Sequence, residues 1–144
     1  MATTAQIVTI LGGQKTLRRR VSSTVELRET IREGLPYSAL EAVMRTLNLS
    51  RKEASEILAV PLRTLVRRKQ QRKLPLVESD RLYRLASIAA RAAEVFGTPE
   101  RTGRWLRRPN RALGGAAPLA LLDTEIGAKH VDQILGRILY GVYS

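Results

Sequence analysis

Apolar side chains recur at helical spacing along most of the chain. Four of them stand at the i, i+3, i+4 and i+7 positions of one buried helix face: Leu40, Val43, Met44 and Leu47. No segment alternates apolar and polar residues over a useful length with the β-branched side chains that strands favour. The pattern therefore predicts an all-α protein.

Capping signals divide this pattern into successive helices. A first helix begins at Thr24 and ends at Gly34, because glycine readily adopts the left-handed conformation of a C-terminal cap. Ser50 with Glu53 three residues later is a capping box, which predicts a short helix there. Pro61 suits the first turn of the next helix.

The C-terminal half continues as helices separated by turn residues. A long helix is predicted over about residues 78–96, with a stripe of leucine and alanine that lets a neighbouring helix approach closely. A short helix is centred on Trp105, and Thr124 caps the last helix. One side of that last helix is predicted to carry Ile126, Val131, Ile134, Leu135 and Ile138.

Residues 51–71 fit a helix-turn-helix. Such a unit needs a small residue inside its first helix, a small residue in the turn and an apolar residue just after the turn. Ser55, Ala59 and Val60 supply these in order, and Leu58 and Leu65 are predicted to face the core. Glycine is the commoner residue at the turn position.

Charge is distributed unevenly along the 144 residues. The formal net charge is +12, and it divides into +13 over residues 1–114 and −1 over residues 115–144. A strongly positive region favours polyanions, nucleic acid first. The charge therefore indicates a nucleic-acid partner for the N-terminal part.

The helix opened by Pro61 concentrates this charge. Pro61 to Lys73 contains six cationic side chains and no carboxylate. If Leu65 points inward, the cations lie on faces that can meet the major groove of DNA, where arginine binds guanine edges or phosphates. A solvated cationic helix is the alternative interpretation. The predicted DNA-binding residues are Arg63, Thr64, Arg67, Arg68, Lys69 and Arg72.

Several functional classes are excluded by what the sequence lacks. The absence of cysteine rules out disulfides, cysteine-ligated zinc and thiol catalysis. His130 and Asp132 are two residues apart and so lie on different helix faces, and no catalytic or metal-ligand pattern appears. No apolar run approaches the ~20 residues that span a bilayer. A cytoplasmic protein that is not an enzyme and holds no cofactor or metal is expected.

Residues 105–127 combine particular residue types at particular offsets. The series comprises Trp105, Leu106, Pro109, Asn110, Leu113, Gly114, Gly115, Pro118, Leu121, Leu122, Thr124 and Gly127. Together with the arginine-rich helix, it resembles the Xre/ParS family of antitoxins, the partners of RES-domain toxins. The resemblance covers the chain from about Gly34 onward. Pro61 departs from it, because a small hydroxyl-bearing cap is expected there.

The resemblance implies a dimeric, all-α antitoxin. Its Xre-like helix-turn-helix would bind operator DNA of its own operon, and its C-terminal domain would obstruct the active site of a RES-domain toxin. RES toxins are similar to ADP-ribosyltransferases and consume or transfer from NAD. A tail ending in a tyrosine and a carboxylate suits a cleft built for an anionic dinucleotide. The implied toxin-binding residues are Trp105, Arg108, Asn110, Tyr140, Val142, Tyr143 and Ser144.

Four segments are expected on these grounds. Residues 1–23 form a flexible basic arm or merely a poorly ordered end, and residues 24–77 form the helix-turn-helix domain. Residues 78–96 form a connecting and dimerisation helix, and residues 97–144 form a toxin-binding domain. Trp105 could equally be a core residue of that small domain. The main alternative is a stand-alone dimeric transcription regulator whose C-terminal helices serve dimerisation, and a third is a structural adaptor.

Overall fold

The computed structural model of the protein describes residues 2–141, and in that range it contains nine α-helices, two 3-10 helices and no strand. The predicted all-α class is confirmed. None of the helices in this range combines the length and apolar content of a membrane span. The α-helices are α1 (Thr4–Ile10), α2 (Gly13–Leu17), α3 (Thr24–Glu33), α4 (Tyr37–Leu47), α5 (Arg51–Leu58), α6 (Leu62–Gln71), α7 (Leu76–Phe96), α8 (Pro99–Arg107) and α9 (Glu125–Leu139), and the 3-10 helices are Arg111–Leu113 and Pro118–Leu121.

Local capping explains where several helices begin and end. The Ser50 hydroxyl accepts the N–H of Glu53, and the Glu53 carboxylate accepts the N–H of Ser50 at 2.9 Å, so the predicted capping box is confirmed. Thr124 caps α9 by accepting the N–H of Gly127 at 3.0 Å. α4 ends at Asn48 in the left-handed conformation, which asparagine tolerates well. These boundaries depend on contacts within a few residues.

The long helix α7 lies at the centre of the molecule. It packs against α1, α3, α5, α8 and α9. Every residue from Arg81 to Phe96 is buried or half-buried, and Ala86 and Ala92 are fully buried where neighbouring helices come close. Helices of the same chain therefore cover most of the helix over residues 78–96, whose role in dimerisation stays a prediction.

The N-terminal segment folds onto the helical core. A capping box between Thr3 and Gln6 begins α1. Ile7 and Leu11 are then buried beneath α1, which packs against α4 and α7. Helices α1 and α2 thus occupy much of the segment that was expected to be a flexible arm, because apolar side chains at helical spacing pack against the core despite the cationic end.

The buried face of α9 differs from the predicted one at its first turn. Val131, Ile134 and Leu135 are fully buried, as predicted, and Ile138 packs against the core. Ile126 is 83% exposed. Its predicted burial is wrong, because it lies about 140° around the helix from Val131.

Candidate functional site

α5 and α6 form the two-helix unit expected between residues 51 and 71. α5 ends at Ala59 in the left-handed conformation, with φ of 56°. The N–H of Val60 then donates to the carbonyl of Ser55 at 3.0 Å and closes the turn. Leu58 and Leu65 are buried, as predicted. Because these leucines anchor both helices to the core, the opposite face of α6 is presented to solvent.

The exposed face of α6 and its C-terminal end carry uncompensated positive charge. Within residues 2–141, no carboxylate lies in ion-pair distance of the cations in this group. Cations of this kind can exchange their counterions for phosphate groups. The group consists of four exposed residues from the predicted DNA-binding set: Arg63, Arg67, Lys69 and Arg72.

Thr64 and Arg68 do not belong to this exposed surface. Thr64 is 8% exposed, because it lies beside Leu65 on the side of α6 that faces the core. Arg68 turns toward α7, where its Nε and Nη2 atoms donate to both carboxylate oxygens of Glu78 at 2.7 to 3.1 Å. The structure therefore turns both side chains away from the exposed face of α6, and their predicted contact with DNA stays a prediction.

The contact between Arg68 and Glu78 is an ion pair between a half-buried arginine and a buried carboxylate. Glu78 is only 4% exposed, and a buried carboxylate is strongly destabilising unless it is paired and hydrogen-bonded. The hydrogen bonds to Glu78 raise the pKa of Arg68, because they favour its charged form. Arg68 therefore fixes α6 against the start of α7 and positions the exposed cations indirectly.

Arg107 joins α8 to the helix-turn-helix. Its Nη1 donates to the carbonyl of Leu47 at 3.0 Å, and its Nη2 donates to the carbonyl of Asn48 and to the Glu53 carboxylate, the latter at 3.2 Å. Burial raises the pKa of Glu53, but hydrogen bonds from Ser50 and Arg107 outweigh it and hold that pKa below the ordinary value. One side chain thus links the end of α4, the start of α5 and α8.

The loop after α8 is organised by Asn110. Its side-chain oxygen accepts the N–H of Ala112 at 2.9 Å, and its carbonyl accepts the N–H of Gly115 at 2.9 Å. Gly114 and Gly115 both have positive φ, of 68° and 89°, which glycine adopts without strain. Asn110 therefore serves the loop itself, and the structure does not present its side-chain oxygen as a free contact.

Gly127 allows α9 to pass close to the 3-10 helix Pro118–Leu121. A Cβ atom at position 127 would lie 2.0 Å from the carbonyl oxygen of Leu121. Leu122, next along the chain, is buried at 1% exposure. Much of the residue series between positions 105 and 127 thus has a packing role.

Three further residues of the predicted toxin-binding set lie within the described range, namely Trp105, Arg108 and Tyr140. Trp105 is half-buried, and its ring centroid lies 5.3 Å from that of Phe96 at an interplanar angle of 36°, so it is an edge residue of the core. Arg108 is exposed after α8, and Tyr140 is 69% exposed after α9. Val142, Tyr143 and Ser144 lie outside the described residues.

Glu78 and Arg107 are functional neighbours that the sequence interpretation missed. Glu78 is the first carboxylate after a long run of cations, which is a signal that one cation has a partner. Arg107 has no such signal, because it binds a carbonyl 60 residues away in sequence. Only the packing of α8 against α4 brings the Arg107 side chain to the Leu47 carbonyl.

Two protein-family models match the chain in succession. An antitoxin Xre-like helix-turn-helix domain matches residues 26–87. An antitoxin Xre/MbcA/ParS C-terminal toxin-binding domain matches residues 91–141. The boundary between the two matches falls inside α7, which is continuous through it.

Proteins of known family are similar to this chain over most of its length. The protein named Antitoxin Xre of Photorhabdus laumondii is 30% identical, over 85% of this chain and 84% of its own length. Antitoxin Xre of Pseudomonas putida is 34% identical, over 84% of this chain and 76% of its own length. A Sphingobium protein named Prs ADP-ribosylating antitoxin is 29% identical, over 85% of this chain and 84% of its own length.

Proposed function

Because the chain belongs to the Xre/MbcA/ParS antitoxin family and has both a helix-turn-helix and a toxin-binding domain, we propose that it neutralises a RES-domain toxin and represses its own operon. The toxin consumes NAD or transfers ADP-ribose from it, a class supported by the Sphingobium relative's name. The antitoxin acts in the cytoplasm by occupying the toxin's active site, and it is not itself an enzyme.

The proposal that the protein binds DNA rests on the outer face of α6. Arg63 and Arg67 are exposed there, with Leu65 buried beneath them. An exposed arginine in a major groove can donate to two acceptors of a guanine or to phosphate. The protein binds as a homodimer to two half-sites about 34 Å apart or a multiple of that distance.

Replacing Arg67 with alanine is expected to weaken operator binding about tenfold, because one arginine contact to a base or phosphate is lost. The measurement is a gel-shift titration with the DNA directly upstream of the protein's own gene. Arg137→Ala is the matched control, since it removes the same charge from an exposed position on α9. Unchanged affinity for both Arg67→Ala and Arg63→Ala would reject α6 as the recognition helix.

Replacing Tyr140 with alanine is expected to reduce toxin neutralisation while operator binding stays unchanged, because an exposed aromatic side chain near the chain end is lost. The measurement is growth of cells that express the toxin together with each variant at matched antitoxin levels. Ile126→Ala is the control, since it truncates an exposed apolar residue at the other end of α9. A second variant that ends at Gly141 tests the tail in the same assay.

Full protection by both Tyr140→Ala and the shortened chain would reject this end of the molecule as the toxin contact. The wider proposal depends on a simpler measurement. The RES-domain protein should co-purify with the antitoxin when the two are expressed together. A failure to co-purify would favour the stand-alone regulator.

A further inference from the structure

We propose that Arg18, which precedes the matched helix-turn-helix domain, joins Lys69 and Arg72 in a second contact to the DNA backbone beside the recognition helix. This inference rests on the proposed DNA-binding function. It assigns a role to the folded N-terminal segment, which lies outside both family matches. The ligand is the phosphate backbone of the same duplex, bound without regard to base sequence.

The three cations line one open cleft of about 340 Å³, although they come from separate parts of the chain. Arg18 follows α2, Lys69 is in the last turn of α6, and Arg72 is the residue after α6. All three are exposed. Glu41 also lines the cleft. The charged side chains of the cleft are therefore three cations and one carboxylate. The cleft therefore favours an anion.

Backbone pairing holds Arg72 at this place. The N–H of Tyr37 donates to the carbonyl of Arg72 at 3.1 Å, and the N–H of Leu74 donates to the carbonyl of Leu35 at 2.8 Å. The end of α6 is thus fastened to the start of α4. The first residues of α4, Tyr37 and Ser38, line the same cleft.

Arg18 is held in place by its neighbours in sequence. Leu17 and Val21 are buried on either side of it, at 5% and 2% exposure. Arg19 turns away and donates to Glu33 on α3 at 2.8 Å. Arg18 has no ion-pair partner within residues 2–141. Adjacent arginines therefore differ in role: Arg19 holds the segment to the protein, and Arg18 remains available to an external anion.

A phosphate backbone is the anion that fits this position. Lys69 lies in the last turn of the helix that presents Arg63 and Arg67, and Arg72 follows that helix, so the backbone of a duplex seated across the end of α6 passes close to both cations. Phosphate contacts of this kind fix the register of a protein on DNA but carry no sequence information. Each neutralised phosphate releases counterions, which gives the contact a characteristic salt dependence.

The test replaces Arg18 with glutamine, which removes the charge and keeps a long polar side chain at the exposed, left-handed position. Affinity is measured for the upstream DNA and for a random duplex of the same length. Arg18→Gln should weaken both to the same degree. The ratio of the wild-type affinity to the Arg18→Gln affinity should fall about threefold between about 50 mM and about 200 mM salt, because the variant makes one phosphate contact fewer.

Two further variants make the result decisive. Arg137→Gln removes the same charge from α9 and is expected to leave both affinities unchanged. Arg67→Ala reports on the recognition helix. If Arg67→Ala weakens operator binding while Arg18→Gln behaves like Arg137→Gln, the second contact is rejected and the proposed function stands. If Arg63→Ala, Arg67→Ala and Arg18→Gln all leave binding unchanged, both proposals are rejected.

Inorganic phosphate distinguishes a duplex contact from a site for free anions. At constant ionic strength, exchanging chloride for phosphate should not remove the difference between wild type and Arg18→Gln. Loss of that difference at millimolar phosphate would show a small-anion site and overturn the assignment to DNA.

Discussion

Arg68→Ala is expected to lower the free energy of unfolding by about 3 kcal/mol, although Arg68 belongs to the most basic stretch of the chain. The reason is Glu78, which is 4% exposed and would lose the partner of its buried carboxylate. The measurement is urea denaturation followed by circular dichroism at neutral pH.

Arg67→Ala is the matched control for that experiment, because it truncates the same residue type one position away on the exposed face of α6. Its effect on stability should stay within about 0.5 kcal/mol. Replacing both partners, as Arg68→Met with Glu78→Leu, should restore much of the lost stability, because an apolar pair leaves no buried charge. Equal stability of Arg68→Ala and Arg67→Ala would contradict the buried pair.

Gly127→Ala is expected to destabilise the toxin-binding domain by about 3 kcal/mol or more, because the new methyl group would overlap the backbone carbonyl of Leu121. A carbonyl in a packed 3-10 helix cannot move aside as the end of a flexible side chain can. Toxin neutralisation should fall with stability. The measurements are thermal unfolding and co-purification with the toxin.

Gly136→Ala is the control within the same helix. Its added Cβ would meet only the end of the Arg91 side chain, at 2.7 Å from Nη2, and that group can swing away. The substitution also favours the helix by about 1 kcal/mol, because alanine has the higher helix propensity. The two substitutions are chemically identical, so similar stability of the two variants would show that α9 does not pass Leu121 closely.

The predicted helix boundaries agree with the structure where the deciding contact is local. The Ser50–Glu53 capping box and the Thr124 cap each span three residues, and the sequence displays both partners. The N-terminal segment carried a similar signal, a capping box between Thr3 and Gln6 ahead of apolar residues at helical spacing. Its cationic end led to the prediction of a flexible arm instead.

The candidate DNA-binding surface was predictable only in part. The burial of Leu65 correctly indicates that Arg63 and Arg67 point outward, because residues two positions apart in a helix lie on nearly opposite faces. The same periodicity places Arg68, three residues after Leu65, on the buried side of α6, but it does not reveal that a carboxylate from α7 binds it. The sequence likewise does not distinguish Arg18 from Arg19, whereas in the structure Arg19 forms an ion pair with Glu33 of α3.

The helical class, most helix ends and the order of the two domains follow from the sequence alone, because hydrogen bonds and apolar periodicity within a helix act over a few residues. The tertiary structure decided which cations remain exposed, where the N-terminal segment packs, and that α7 is a central helix covered by its own chain. Those outcomes depend on contacts such as Arg68 with Glu78 and Arg107 with Leu47, whose partners are separated by 10 and 60 residues. Such pairs form only when whole helices pack, so no local pattern specifies them.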